Sequence, residues 1–99
     1  MTRPVAFTPA AQAEFIEAAA WYEAKRPGLG DDFIAQIDHC VRRIAEQPAR
    51  YPIVHNGVRR IVAARFPYSV YFVVEDRGVV VLAVFHGRRD PAIWQRRGS

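Results

Sequence analysis

The sequence predicts an α+β fold in the order β-α-α-β-β-β, with an antiparallel helical hairpin packed on a small, mainly antiparallel sheet. Three observations carry this. Two apolar stripes at helical spacing face each other across Pro27-Gly28-Leu29-Gly30. Two runs rich in Val, Tyr and Phe are joined by the polar sequence Glu75-Asp76-Arg77-Gly78, the pattern of a β-hairpin. The chain has 99 residues, 51% hydrophobic and 24% charged, enough for a single domain over residues 1–99 and too few for two.

Each element has its own local signals. Arg3 to Phe7 reads as a short strand with Val5 and Phe7 on one face, and Pro4 places it early or at an edge. Thr8-Pro9 starts the first helix, with Thr8 as N-cap and Pro9 where its missing N–H is not needed. Ala11, Phe15, Ala18, Ala19 and Tyr22 make that helix's buried stripe, which leaves Glu14 and Glu17 toward water and Trp21 either at the edge of the core or exposed for a partner. The Ala18-Ala19-Ala20 run permits a close helix neighbour. Asp31-Asp32 supplies the next N-cap and negative charge at a positive helix end. Phe33, Ile37, Cys40, Val41 and Ile44 form the second stripe, and Gln47-Pro48 stops it. Pro48 to Gly57 is expected to be an ordered loop, and Val58 to Phe66 a third strand. In the hairpin, Gly78 is expected to supply the positive φ of the turn. Val70, Phe72 and Val74 alternate with Tyr71 and Val73, so both faces are apolar; the helices cover one, and a partner chain is expected on the other.

Composition narrows the function. The net charge of +4 and a pI near 9.8 favour an acidic partner, whether nucleic acid or polypeptide. Lys25 is the one lysine among fourteen basic residues, so arginine usage fits either a GC-rich genome or bidentate anion binding. No apolar run reaches the ~20 residues of a membrane span, and the N-terminus carries no apolar signal region, so a cytoplasmic protein is expected. Cys40 has no partner for a disulfide and reads as a small buried hydrophobe. His39 and His55 have no metal-site spacing, and neither a metal nor another cofactor is expected.

The order of elements, with GVRRIVAARFPYSVYFVV and VVVLAVFHGRRDPAIWQRR, resembles the RelE/ParE superfamily of bacterial type II toxin–antitoxin toxins. The resemblance runs from VAFTPAAQAEF through LGDDFIAQI to the Arg97 region. It implies a growth inhibitor, of the kind that serves plasmid stabilisation, held inactive by a co-encoded acidic antitoxin. Trp21 and Tyr22 are the candidate antitoxin-binding residues.

Two activities within that superfamily need different chemistry. RelE-like members cleave mRNA on the ribosome, where the ribose 2′-OH attacks the adjacent phosphate and the site must supply a base, an acid and cations. On this chain Arg60 and Arg89 match two of the expected cations, and His86 is the candidate for proton transfer, with Arg88 sharing its face if the strand runs that far. Ser69 stands where a further arginine is expected and Trp94 near an expected tyrosine, so the set is incomplete. ParE-like members inhibit DNA gyrase by binding, with no catalytic residues. That branch fits better, with Arg88, Arg89, Trp94, Arg96 and Arg97 as the target-facing patch; for Trp94 the other reading is a tail aromatic docked on the core, and for Arg88-Arg89 a pairing with Asp90. A third class, a basic nucleic-acid-binding module, would use Arg59, Arg60 and Arg65 on phosphates. A degenerate toxin that only binds its antitoxin is the fourth.

Overall fold

The computed structural model describes residues 2–98. Strand β1 (Val5–Phe7) leads into helix α1 (Pro9–Lys25), followed by α2 (Leu29–Glu46) and a 3-10 turn at Pro48–Arg50. Four strands then run β2 (Ile53–His55), β3 (Val58–Val62), β4 (Tyr68–Glu75) and β5 (Gly78–His86), before a single turn α3 (Ala92–Gln95) and a second 3-10 turn at Arg96–Gly98. The sheet order is β1-β5-β4-β3-β2, with β1 parallel to β5 and every other pair antiparallel. The fold is therefore the predicted α+β class, with one strand more than expected.

That extra strand is β2. Its turn to β3 is Asn56-Gly57, both with positive φ (42° and 78°), the backbone that a two-residue hairpin turn needs. The Asn-Gly pair was visible in the sequence. Only the brevity of β2 made the segment read as a loop.

The helices follow their local chemistry with two corrections. Thr8 caps α1 as expected, its Oγ1 accepting from the Ala11 N–H at 3.1 Å. For α2 the cap is not Asp31 or Asp32: Gly28 is the N-cap residue without a side-chain bond, and Glu23 of α1 accepts from the Gly28 and Gly30 N–H groups at 3.0 Å each. The two aspartates occupy the first turn, where they still oppose the helix dipole. Gly30 lies so close to α1 that a Cβ would come within 2.7 Å of the Ala19 carbonyl oxygen. This is the close approach that the alanine run permits. The second correction concerns α1, whose outer surface carries exposed Ile16 and Trp21 while Glu14 turns inward.

Two cores lie on opposite faces of the sheet. On the helical face Phe33, Ile37, Cys40 and Ile44 of α2 meet Val70, Phe72, Val79 and Val81. On the other face Val58, Tyr71, Leu82, Phe85 and Trp94 pack together, with Ile93 and Val80 against them. The second apolar face is thus covered in part by the chain's own C-terminal segment, where a partner chain had been expected. A β-bulge explains how β5 serves both cores: the register passes from Tyr71↔Ala83 to Phe72↔Val81, so Leu82 is an extra residue and the alternation of faces inverts there. Gly78 opens β5, and Asp76 and Arg77 make the turn without positive φ. Gly78 does carry the expected positive φ, 158°, and contact with β1 requires glycine there as well: a Cβ would run into the Pro4 carbonyl, which accepts from Val79 N–H at 2.9 Å.

Candidate functional site

The charged cluster of the molecule forms where α1, the β5 bulge and the C-terminal turn converge. Beyond Phe7, β1 ends and β5 has no strand on that side, so its outward backbone groups need other partners. Glu14 and Arg97 supply them. Glu14 Oε1 accepts from Val84 N–H at 3.1 Å, and Arg97 Nη1 donates to the Leu82 carbonyl at 3.0 Å. The two side chains also pair fork to fork, with Nη1–Oε1 at 2.9 Å and Nη2–Oε2 at 3.1 Å. Arg89 Nη1 adds a bond to Oε2 at 3.2 Å. Four donors therefore saturate one carboxylate that is only 11% exposed.

Glu14 was expected to face water. Its spacing says otherwise: it is three residues after buried Ala11 and four before buried Ala18, so it shares their stripe. The periodic signal was present, and the charge obscured it.

Beside this cluster a groove of about 590 Å³ runs between α1 and the end of the β4–β5 hairpin. Ala18, Trp21 and Tyr22 form one wall; Pro67, Tyr68, Val84 and His86 form the other, with Glu14, Glu17 and Arg89 at its rim. Trp21 is 56% exposed, the second of its two expected placements and not the core edge, and the Lys25 ammonium sits 4.6 Å from its ring centre. Tyr22 belongs to an aromatic cluster with Phe33, Phe66 and Tyr68, at centroid separations of 5.2, 4.9 and 6.1 Å. Burial pushes the Tyr22 and Tyr68 phenols above their ordinary range; for Tyr68, nearby Tyr22 adds to the rise and Arg89 opposes it.

His86 ends β5, with its ring edge-on to Tyr68 at 5.2 Å. Its Nδ1 accepts from Arg88 N–H at 3.0 Å, which leaves the ring proton of the neutral form on Nε2. The strand stops there, so Arg88 lies in the following turn and does not share the strand face of His86.

Of the three ribonuclease candidates, the structure brings His86 and Arg89 to one groove and leaves Arg60 apart. His86 is opposite Tyr68, which packs on the helical core. Arg60 is opposite Tyr71, which belongs to the other core. The sheet therefore stands between His86 and Arg60, while Arg89 sits at the edge, its guanidinium 4.3 Å from the Phe85 ring centre. Nor do Arg59, Arg60 and Arg65 form one phosphate patch. Arg59 donates to the Ala49 and Tyr51 carbonyls at 3.2 and 2.6 Å, Arg60 points to the other face, and Arg65 lies in the β3–β4 connection with φ 69°.

Of the five residues proposed to face a target, Arg88, Arg89 and Arg96 are exposed. Trp94 is not: it is 4% exposed, its ring stacked on Tyr71 at 4.0 Å and 19°, which corrects its assignment to the surface patch. A tail indole gains more by covering Tyr71 and Phe85 than by standing in water. Arg97 holds Glu14, and Arg89 pairs with Glu14 in place of Asp90, whose carboxylate instead accepts from Ala92 N–H at 3.0 Å.

With this geometry established, comparison with known proteins is informative. Among solved structures, a chain from the chromosomal ParDE toxin–antitoxin system of P. aeruginosa superposes with a TM-score of 0.76 at 19% identity, covering 86% of this chain and 96% of that one. At that identity the likeness speaks to the fold. No curated protein matches the sequence significantly. The family model for the ParE toxin of the type II toxin–antitoxin system parDE matches residues 5–91, from β1 through the basic turn after β5, and the chain therefore belongs to the ParE toxin family.

Proposed function

We propose that this toxin arrests bacterial growth by binding DNA gyrase through the basic end of its sheet, and that a co-encoded antitoxin silences it. One observation supports binding over RNA cleavage: of the three residues that could serve a ribonuclease, Arg60 lies across the sheet from His86, which keeps only Arg89 beside it. Transfer of the 2′-OH proton and stabilisation of the phosphate charge must occur around one phosphate, within hydrogen-bond reach of it. Gyrase inhibition by binding requires instead an exposed, rigidly presented surface, and Arg88 and Arg89 provide cations just past the end of β5, with Arg96 in the C-terminal 3-10 turn.

For the antitoxin, the groove beside α1 offers the complementary chemistry. Exposed Trp21 provides an apolar anchor next to Tyr22, and the rim cation Arg89 suits an acidic segment.

The test combines two assays on the purified toxin and on cells induced without antitoxin. Loss of gyrase supercoiling, or accumulation of gyrase-cleaved DNA, with an unchanged map of RNA 5′ ends is the expected result. New RNA ends inside translated messages, abolished by His86→Ala in a folded protein, would overturn the proposal in favour of a ribosome-dependent nuclease.

A further inference from the structure

Several arginines of the chain are answered within the fold: Arg59 is committed to two backbone carbonyls, and Arg89 and Arg97 to Glu14. Arg43 and Arg60 are not. Arg43 lies on α2, and its one side-chain bond among the described residues runs from Nε to the neutral Tyr51 hydroxyl at 3.1 Å. Arg60 has less: its Nε is buried without an acceptor, and no hydrogen bond or ion pair among the described residues reaches its guanidinium. Buried polar groups in folded proteins nearly always find a partner, so a guanidinium held in this way points to a ligand that the fold itself does not supply.

Both arginines line one groove of about 370 Å³ between α2 and the edge of the sheet, together with His39, Tyr51 and Val62. Its place follows from the strand lengths. β2 pairs with β3 at Val58 and Arg59, and Arg60 N–H reaches the Pro52 carbonyl at 3.2 Å, after which β3 has no strand on that side. At this open edge Arg60, Ile61 and Val62 all border the groove, although successive side chains of a strand point to opposite faces. Ala63 N–H turns inward to the Tyr68 carbonyl at 2.9 Å, so Val62 N–H turns outward, as Arg60 N–H does. On the helical wall, His39 and Arg43 stand one turn apart on one face of α2.

What these groups have in common is that they donate. Arg43 and Arg60 carry fixed positive charge, and Val62 offers a backbone N–H. The Tyr51 hydroxyl, having accepted from Arg43, has its own proton left to give, and His39 adds a ring N–H. No aspartate or glutamate lines this groove among the described residues, whereas Glu14 and Glu17 stand beside Arg89 in the groove next to α1. An excess of donors around a small concavity suits a doubly charged oxyanion, and phosphate matches the guanidinium fork. A nucleic-acid strand needs cations spaced along it for successive phosphates; here both guanidinium groups border a single groove. Pro52 and the 63% exposed Val62 give the groove an apolar side for the organic part of a small ligand.

We propose that the groove between α2 and β3 binds a small phosphomonoester. Arg43 and Arg60 hold its phosphate with the Tyr51 hydroxyl, the Val62 N–H and His39, and its organic part lies against Pro52 and Val62. The site shares no lining residue with the groove beside α1, and the inference does not depend on gyrase being the target.

The experiment is a titration of the ¹⁵N-labelled full chain at constant ionic strength, followed by NMR through the Arg43 and Arg60 Nε–H signals, the His39 ring nitrogens and the Val62 amide. The probes are adenosine 5′-monophosphate, adenosine, inorganic phosphate and an oligothymidylate without a terminal phosphate. Adenosine 5′-monophosphate is expected to move all four sets of signals together and to saturate them, inorganic phosphate to move the same signals with weaker binding, and adenosine to move none. Arg43→Gln, at an exposed position, is expected to weaken binding of the nucleotide by about tenfold or more, as is Arg60→Gln, while Arg77→Gln at the far hairpin turn leaves it unchanged. Should Arg60→Gln fail to fold, Arg60→Lys keeps the charge without the fork and is expected to bind several-fold more weakly than the natural chain. Equal shifts with adenosine, tighter binding of the oligothymidylate, shifts spread evenly over the exposed arginines as for an adventitious ion only, unchanged affinity in Arg43→Gln, or no shifts at all would each overturn the proposal.

Discussion

At the scale of single residues, Glu14 decides more than its position on an exposed-looking helix suggests. Its carboxylate gathers the Val84 N–H, both Nη groups of Arg97 and one of Arg89, and thereby ties α1, the β5 bulge and the C-terminal turn together. Removing it leaves Arg97, only 22% exposed, without its counter-charge, and leaves a backbone N–H without an acceptor. Glu14→Ala should cost about 2–4 kcal/mol of stability, most of it from Arg97, because the Arg89 bond is largely solvated. Glu17→Ala, one turn on and exposed, should change stability by less than about 0.5 kcal/mol. Urea unfolding of both variants would decide this, and equal midpoints would sink the account. The aromatic wall of the groove makes a prediction about pH. Burial raises the Tyr68 phenol above the ordinary value of 10.0, with Tyr22 adding to the rise and Arg89 opposing it. Because the folded state holds that proton more tightly than the unfolded chain, the associated stability is complete below pH 10.0 and falls as pH rises through the folded value. Arg89→Ala removes the opposing cation, so the Tyr68 titration seen by ultraviolet difference spectroscopy should move further upward.

At the scale of elements, the two hairpin turns use glycine for different physical reasons, and substitution should separate them. Gly57 has φ 78° with open space where a Cβ would stand, so Gly57→Ala meets only the conformational penalty of the left-handed region, about 1 kcal/mol. At Gly78, where φ is 158°, the added carbon also meets the Pro4 carbonyl, and β1 must shift or lose its bond to Val79; Gly78→Ala should cost about 2 kcal/mol or more. Thermal melts of the two variants check the order, and a larger loss at Gly57 would contradict it. The same comparison shows what was legible in the sequence. Periodicity placed α1, α2 and the β4–β5 hairpin, because Phe33, Ile37, Cys40 and Ile44 recur at the helical spacing and the Val, Tyr and Phe runs are long enough to be unambiguous. The three-residue β2 carries too little periodicity to register, although Asn56-Gly57 marked its turn. Trp94 was left between surface and core because the partner that buries it, Tyr71, is on a strand distant in sequence. Arg97 was misplaced for the same reason, since its partner Glu14 is 83 residues away. Local signals predict elements, and long-range pairing has to be seen.

At the scale of the whole molecule, the excess of arginine resolves into two populations that one pair of measurements can sort. Arg59 fastens the 3-10 turn at Pro48–Arg50 to the sheet, and Arg97 closes the C-terminal segment over the β5 edge. These arginines hold the fold, so Arg59→Ala and Arg97→Ala should lower the urea midpoint and reduce toxicity only as far as they reduce the folded population. Arg88 projects from the turn after β5, exposed, and its backbone N–H, not its side chain, contacts His86. If the basic end of the sheet meets the target, Arg88→Glu should leave the urea midpoint within about 0.5 kcal/mol of the natural chain while weakening growth arrest at equal expression by tenfold or more, since a reversed charge at a contact repels where the original attracted. Arg89 lies between the populations: 46% exposed, bonded to Glu14 and stacked on Phe85, it should lose a little stability and much toxicity when replaced by alanine. Plotting growth arrest against stability for these four variants distinguishes the alternatives. Points for Arg59 and Arg97 should follow the line set by folded population, and those for Arg88 and Arg89 should fall well below it. If all four fell on that line, the C-terminal arginines would act through the fold alone, and the target-binding surface would have to lie elsewhere.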